Sequence, residues 1–218
     1  AGERVAVVGS TGSGKSTLLR VLLRLLELDS PGGSLIIDGV DVRTIGLARL
    51  RSAVTVVPQD DLVVAGSVRD NVDPGRQHGD REVREALDAA LLTQWALDRE
   101  LSSSGSGVSA GEQQLLGVAR AILRRSRIVA LDEVTSRVDE ATDVRLQEAL
   151  RRLPQGTTLL LISHRVGKLE DHYDRVVVME GGRIVEEGEP RALRAQVGSK
   201  FAQLIAAESH GGGNRSVT

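Results

Sequence analysis

Between a short apolar run and a leucine-rich stretch lie Gly9-Ser10-Thr11-Gly12-Ser13-Gly14-Lys15-Ser16-Thr17, and few folds accommodate that order. Arg4-Val5-Ala6-Val7-Val8 reads as a buried strand. Leu18, Leu19, Val21, Leu22, Leu23, Leu25 and Leu26 read as a helix packed on both sides. Strand, glycine turn and helix then arrive in the order of the pattern G-x-x-x-x-G-K-[ST]. Gly9, Gly12 and Gly14 reach backbone conformations closed to residues with a Cβ, so successive N–H groups can converge on an anion at the positive end of the helix. Phosphate is the anion this chemistry fits. Lys15 adds a mobile charge for the β and γ phosphates, and the Ser16 hydroxyl is placed for Mg²⁺.

Further along, Gly33 to Asp38 and Ala53 to Val57 read as strands, with a polar turn at Asp38-Gly39. Pro58 ends the second strand and leaves Gln59 just beyond it. From Leu62 to about Arg125 the pattern becomes helical, notably over Val83 to Leu92 and Glu112 to Arg125, with no strong strand between. Apolar strands return at Ile128 to Leu131 and Thr157 to Ile162, separated by a helix from Glu140 to Leu153. Val176 to Met179 and Arg183 to Val185 flank a Gly181-Gly182 hairpin turn, and Pro190 marks the start of a short helix. The expected fold is α/β, a mostly parallel sheet flanked by helices, with a helical insertion. Its predicted parts are a core of residues 1–61 and 126–208, a helical subdomain at 62–125, and a mobile tail at 209–218.

Parallel sheets place chemistry at their strand ends, where this chain carries polar groups. Asp132 and Glu133 follow four apolar residues, so one carboxylate can hold Mg²⁺ through its waters while the next accepts a proton from attacking water. His164 follows Ser163 at another strand end, and Gln59 offers an amide to Mg²⁺ or water. Taken singly, each is also an ordinary strand-end residue. Ser109-Ala110-Gly111-Glu112 reads as a capping box, because Glu112 stands three residues after Ser109 before a helical apolar run. The capped helix end is also an anion site, so capping and phosphate contact compete for one serine hydroxyl.

With a net charge of -2 and a pI near 6.1, no global basic field argues for nucleic acid as a partner. The absence of cysteine removes zinc-thiolate and cysteine-nucleophile chemistry. No apolar run approaches the roughly 20 residues that span a bilayer, so a membrane role requires a partner or a further segment.

Together these residues resemble the nucleotide-binding domain of ATP-binding-cassette transporters, up to about Glu208. Gly9 to Thr17 resemble the Walker A loop, Ile128 to Asp132 Walker B, Glu133 its catalytic carboxylate, and Val56-Val57-Pro58-Gln59-Asp60 the Q-loop. Val108-Ser109-Ala110-Gly111-Glu112 is similar to the family signature, Ser136-Arg137-Val138-Asp139 to the D-loop, and His164-Arg165 to the switch-histidine region. Gly66-Ser67-Val68-Arg69-Asp70-Asn71-Val72-Asp73-Pro74 is similar to exporter cassettes of the multidrug-resistance-associated branch. The resemblance implies that ATP and Mg²⁺ are bound. It further implies catalytic roles for Lys15, Gln59, Glu133 and His164, and metal contacts from Ser16, Gln59 and Asp132. Ser109, Ala110, Gly111 and Glu112 would contact ATP held by a second cassette, with Asp139 in the D-loop, and exporter transmembrane domains would hold the cassette at the cytoplasmic face of the membrane.

Val108, Ala110 and Glu112 depart from the family's Leu-Ser-Gly-Gly-Gln, which implies a competent signature of modestly altered affinity. An adenine-stacking aromatic and antiparallel strands, found upstream of Walker A in the family, are expected to lie before Ala1. A chain without them is expected to bind phosphates better than it selects adenine. Two rival functions remain open at this level: a soluble cassette ATPase of DNA repair or translation, and a non-hydrolysing regulatory module.

Overall fold

The computed structural model describes residues 1–28, 33–59, 63–102, 107–134 and 139–211. In chain order the elements are β1 (Arg4–Val8), α1 (Lys15–Leu22), β2 (Ile36–Ile37), β3 (Val40–Asp41), α2 (Leu47–Ala53), β4 (Val54–Val57), β5 (Gly66–Ser67), α3 (Val68–Val72) and α4 (Asp80–Ala89). There follow β6 (Glu100–Leu101), α5 (Ala110–Leu123), β7 (Ile128–Asp132), α6 (Glu140–Arg151), β8 (Thr158–Ser163), β9 (Arg175–Glu180), β10 (Arg183–Gly188), α7 (Pro190–Ala195) and α8 (Lys200–Gly211). The fold is mixed α/β, with a mostly parallel sheet flanked by helices, as the sequence predicts.

The chain forms two compact units, Ala1–Val54 with Thr158–Thr218, and Thr55–Thr157. In the first, the strands run in the order β10-β9-β1-β8. β1 pairs in parallel with both β8 and β9, and its residues Ala6, Val7 and Val8 are buried because neighbours cover both faces. β9 and β10 form the expected antiparallel hairpin, whose turn residues Gly181 and Gly182 have φ of 56° and 78°. Glu186 of β10 fastens the start of α8: its carboxylate accepts the Phe201 N–H at 2.8 Å and the Ser199 hydroxyl at 2.9 Å.

Two expectations need correction in this unit. α1 stops at Leu22, Arg24 turns into the left-handed region at φ 49°, and Leu25 is 59% exposed, so the later leucines do not extend a doubly packed helix. Arg51 stabilises that early end by donating to the carbonyls of Leu23 and Arg24. The strand expected over Gly33 to Asp38 is only the two-residue β2, paired with β3 across the Asp38-Gly39 turn. At the other end of the chain, α8 continues through Gly211, past the expected start of the tail; residues 212–218 lie outside the described residues.

In the second unit β7 and β4 lie side by side, and α5 packs against α3, α4 and α6. Leu115, Leu116, Val118, Ala119 and Ala121 of α5 are fully buried, which explains its all-round apolar sequence. A two-residue ladder of β5 with β6, absent from the expected helical stretch, ties Gly66 and Ser67 to Leu101 and Glu100.

Candidate functional site

Val8, the last residue of β1, is in register with Ser163 of β8 and Val178 of β9. Gly9 and His164 therefore leave adjacent parallel strands at the same end. Gly9 has φ 152°, and a Cβ there would lie well under 3.0 Å from the Met179 carbonyl oxygen. Gly12 and Gly14 also have positive φ, 82° and 101°. Lys15 opens α1, and its ammonium turns back beneath its own loop, donating to the carbonyls of Gly9 at 2.9 Å and Ser10 at 3.0 Å. It also donates to Ser13 Oγ at 3.4 Å, and the side chain is buried.

Ser10, Thr11, Ser16 and Thr17 are exposed around this turn, and the first turn of α1 carries no acidic residue to repel an anion. The Ser13 carbonyl accepts the Gly182 N–H at 3.0 Å, which ties the loop to the β9–β10 turn. The donor set suits a phosphate: a cationic amine, a helix N-terminus, Gly9 where a Cβ has no room, and Gly12 and Gly14 held at positive φ.

His164 is exposed. The residues after it are fixed by Ser163 Oγ, which accepts the Arg165 N–H at 2.9 Å, and by Glu208 of α8, whose carboxylate accepts the Val166 N–H at 2.8 Å. Sequence reading missed Glu208, which sits 42 residues from its partner.

The second unit holds the remaining predicted residues. Asp132 ends β7, and Glu133 follows it in the left-handed region at φ 52°, a conformation unusual for a residue with a side chain. Val134 is buried, and its carbonyl accepts the Gln114 Nε2–H from α5, anchoring the turn beyond Glu133 to the helix that Ser109 caps. Gln59 leaves β4 after Pro58 and is half-buried. Asp60 of the expected Q-loop and Ser136-Arg137-Val138 of the expected D-loop lie outside the described residues. Asp139 caps α6 by accepting the Thr142 N–H at 2.8 Å.

The capping box predicted at Ser109 is present. Ser109 Oγ accepts the Glu112 N–H at 3.2 Å, and Glu112 Oε2 accepts the Ser109 N–H and hydroxyl, both at 2.9 Å. Partial burial pushes the Glu112 carboxyl up, but the hydrogen bonds from Ser109, helped by Trp95 and Arg99, hold it below the usual carboxylate range. Gly111 is pressed against α6, where a Cβ would collide with the Thr142 methyl. Gly111→Ala is expected to destabilise the fold by about 1–3 kcal/mol through overpacking, and Thr142→Ser, which deletes that methyl, to recover most of the loss in thermal unfolding.

Among the described residues, no group of three or more His, Asp or Glu side chains is arranged to hold a metal alone. The exposed Ser16 hydroxyl offers the kind of hard oxygen donor that Mg²⁺ takes when phosphate oxygens complete its shell.

Residues 1–136, more than half of the chain, match the sequence model of the ABC transporter family. The chain belongs to that family. It is 44% identical over 203 residues to the multidrug resistance protein fer6 of Mycosarcoma maydis, an alignment covering 93% of this chain and 15% of the relative. To the ATP-binding cassette sub-family C member 2 of Rattus norvegicus it is 42% identical over 214 residues, covering 95% of this chain and 14% of the relative. The chain thus spans about a seventh of these relatives' length. Among solved structures it is similar to a bacterial Atm1-family ABC exporter with ATP bound, at a TM-score of 0.85 and 30% identity, covering 96% of this chain and 37% of that one.

The resemblance to exporter cassettes of the multidrug-resistance-associated branch therefore holds. ABC domains bind ATP, and the ATP-binding domains of these exporters are ATPases. No helix among the described residues is long and apolar enough to cross a membrane.

Proposed function

We propose that this chain is the ATP-binding and hydrolysing cassette of an exporter, closing on a second cassette around two ATP-Mg²⁺ and driving export through partner transmembrane domains. The observation that carries the reading is the glycine loop with the Lys15 ammonium drawn beneath it against the Gly9 and Ser10 carbonyls. In this reading Gly9 to Thr17 bind the phosphates, and the exposed His164, at the same strand edge, stabilises charge on the γ phosphate. Residues 1–61 and 126–208 form the ATPase core, and 62–125 the signature subdomain.

Glu133 is the assigned general base, an assignment its left-handed backbone supports. Water attacks the γ phosphorus while Glu133 takes its proton; the bond to the bridging oxygen breaks, and ADP keeps the electron pair. A Mg²⁺ ion, held by Ser16, Gln59 and Asp132 with phosphate oxygens, would supply charge neutralisation at the phosphates. Ser109, Ala110, Gly111 and Glu112 reach the phosphate of the ATP bound to the partner cassette, and Asp139 lies at the junction between cassettes. The working position is the cytoplasmic face of the membrane, with no nucleic-acid partner.

The test is ATP hydrolysis by the full-length protein beside its Glu133→Gln variant. Hydrolysis is expected to fall by about 100-fold, the scale of a lost general base, with ATP binding in equilibrium dialysis retained. Undiminished hydrolysis by that variant would remove Glu133 from the role.

A further inference from the structure

Glu112 brings a carboxylate to the helix end that, on the reading above, meets a polyphosphate. An unbalanced negative charge there repels the ligand. The same carboxylate accepts the Ser109 hydroxyl proton at 2.9 Å, so it also governs where that hydroxyl points.

Two side chains from the stretch between α4 and β6 also bear on Glu112. The Trp95 indole and the Arg99 guanidinium both favour its ionised form. Trp95, the chain's single tryptophan, is 1% exposed and serves as a fixed platform. The Arg99 guanidinium lies over that ring, 4.5 Å from its centroid. Arg99 Nη2 also donates to the Gly107 carbonyl at 3.1 Å, two residues before Ser109 in the chain. Its backbone is held at both ends: the Arg99 N–H donates to Ala96 at 3.1 Å, and its carbonyl accepts the Val68 N–H at 2.8 Å. Such a guanidinium stays beside the signature instead of sweeping through solvent.

We propose that Arg99, seated on Trp95, is a positioning residue that cancels the charge of Glu112 and fixes the approach to Ser109, so that a nucleotide polyphosphate carried by a second cassette can reach the serine hydroxyl. The proposal rests on the paired-cassette reading. Arg99 acts through Glu112 and does not itself touch the reacting atoms. It explains how a glutamate is accommodated at the signature: the charge arrives with its own counter-charge.

Steady-state ATP hydrolysis by the full-length protein tests this, with Arg99→Gln, Glu112→Gln and the double variant beside the parent and Lys15→Ala. Arg99→Gln is expected to raise KM for ATP about five- to tenfold with kcat little changed, and the rise to shrink at high ionic strength, because screening weakens an exposed repulsion. With Glu112→Gln in place the charge needing cancellation is gone, so adding Arg99→Gln to it is expected to leave KM at the value of Glu112→Gln alone. Arg99→Lys keeps the charge with a weaker stack, so it should stay near the parent KM and covers the case in which Arg99→Gln folds poorly. A further rise in KM when Arg99→Gln is added to Glu112→Gln, as large as the rise it causes in the parent, would overturn charge cancellation and leave Arg99 a structural prop. A parent with Lys15-dependent hydrolysis and an unshifted Arg99→Gln overturns this inference alone; a parent whose hydrolysis ignores Lys15→Ala overturns the cassette reading and this inference with it.

Discussion

Lys15→Ala is expected to lower ATP hydrolysis by about three orders of magnitude, the largest activity loss anticipated for any single change here. Two contributions combine. The ammonium is the one cation in the nine-residue loop, so its removal takes away charge that would meet the γ phosphate as negative charge develops there. The carbonyls of Gly9 and Ser10 also lose the donor they share at 2.9 and 3.0 Å, and in a buried setting that leaves the loop under-satisfied. Arginine should not restore function: its planar, longer head cannot occupy the hollow where a compact ammonium reaches Gly9, Ser10 and Ser13 together. Hydrolysis assays on the full-length protein, with ATP binding followed separately, decide the point. Activity within tenfold of the parent in Lys15→Ala would contradict the role assigned to the loop.

Gly9→Ala is expected to carry the largest stability cost. The new methyl would meet the Met179 carbonyl oxygen, a backbone atom of β9, and next the Ser13 hydroxyl oxygen at 2.9 Å. A flexible side chain could swing away, but the backbone of Met179, paired antiparallel with Ile184 of β10, cannot do so without disturbing that register. Added to the strain of φ 152°, the expected loss exceeds about 3 kcal/mol. For a chain of this size, thermal unfolding should drop by roughly 10 °C or more. Gly12→Ala is the internal control: at φ 82° and with nothing within 4 Å of the added methyl, it should cost only about 1 kcal/mol. Similar unfolding temperatures for the two variants would show that the close approach to Met179 does not matter.

What was legible in the sequence followed from local chemistry. The strand-loop-helix at Gly9 to Thr17, the Asp38-Gly39 and Gly181-Gly182 turns, and the Ser109–Glu112 cap all rest on residues within a few positions of one another. The end of α1 was not legible, because leucines at helical spacing continue past Leu22, while the turn at Arg24 is set by arginines reaching from and to distant carbonyls. The same holds for contacts across long separations. Nothing local in Gly111 announces Thr142, and nothing in Arg99 announces that it will stack on Trp95 while donating to Gly107. Periodicity reports which face is apolar, whereas such contacts depend on which element the fold lays alongside.

The fastening of α8 bears on how the cassette can be cut and joined. Glu186 grips the helix at its start, and Glu208, near its far end, grips the backbone two residues past His164. The helix is thus a strut clamped at both ends, one clamp lying on the turn that follows His164. Fusion partners, affinity tags and minimal fragments therefore have a natural boundary beyond Glu208. A cut before that residue would leave α8 folded onto β10 yet release the Val166 amide, slackening the segment after His164 while the rest of the sheet stays intact.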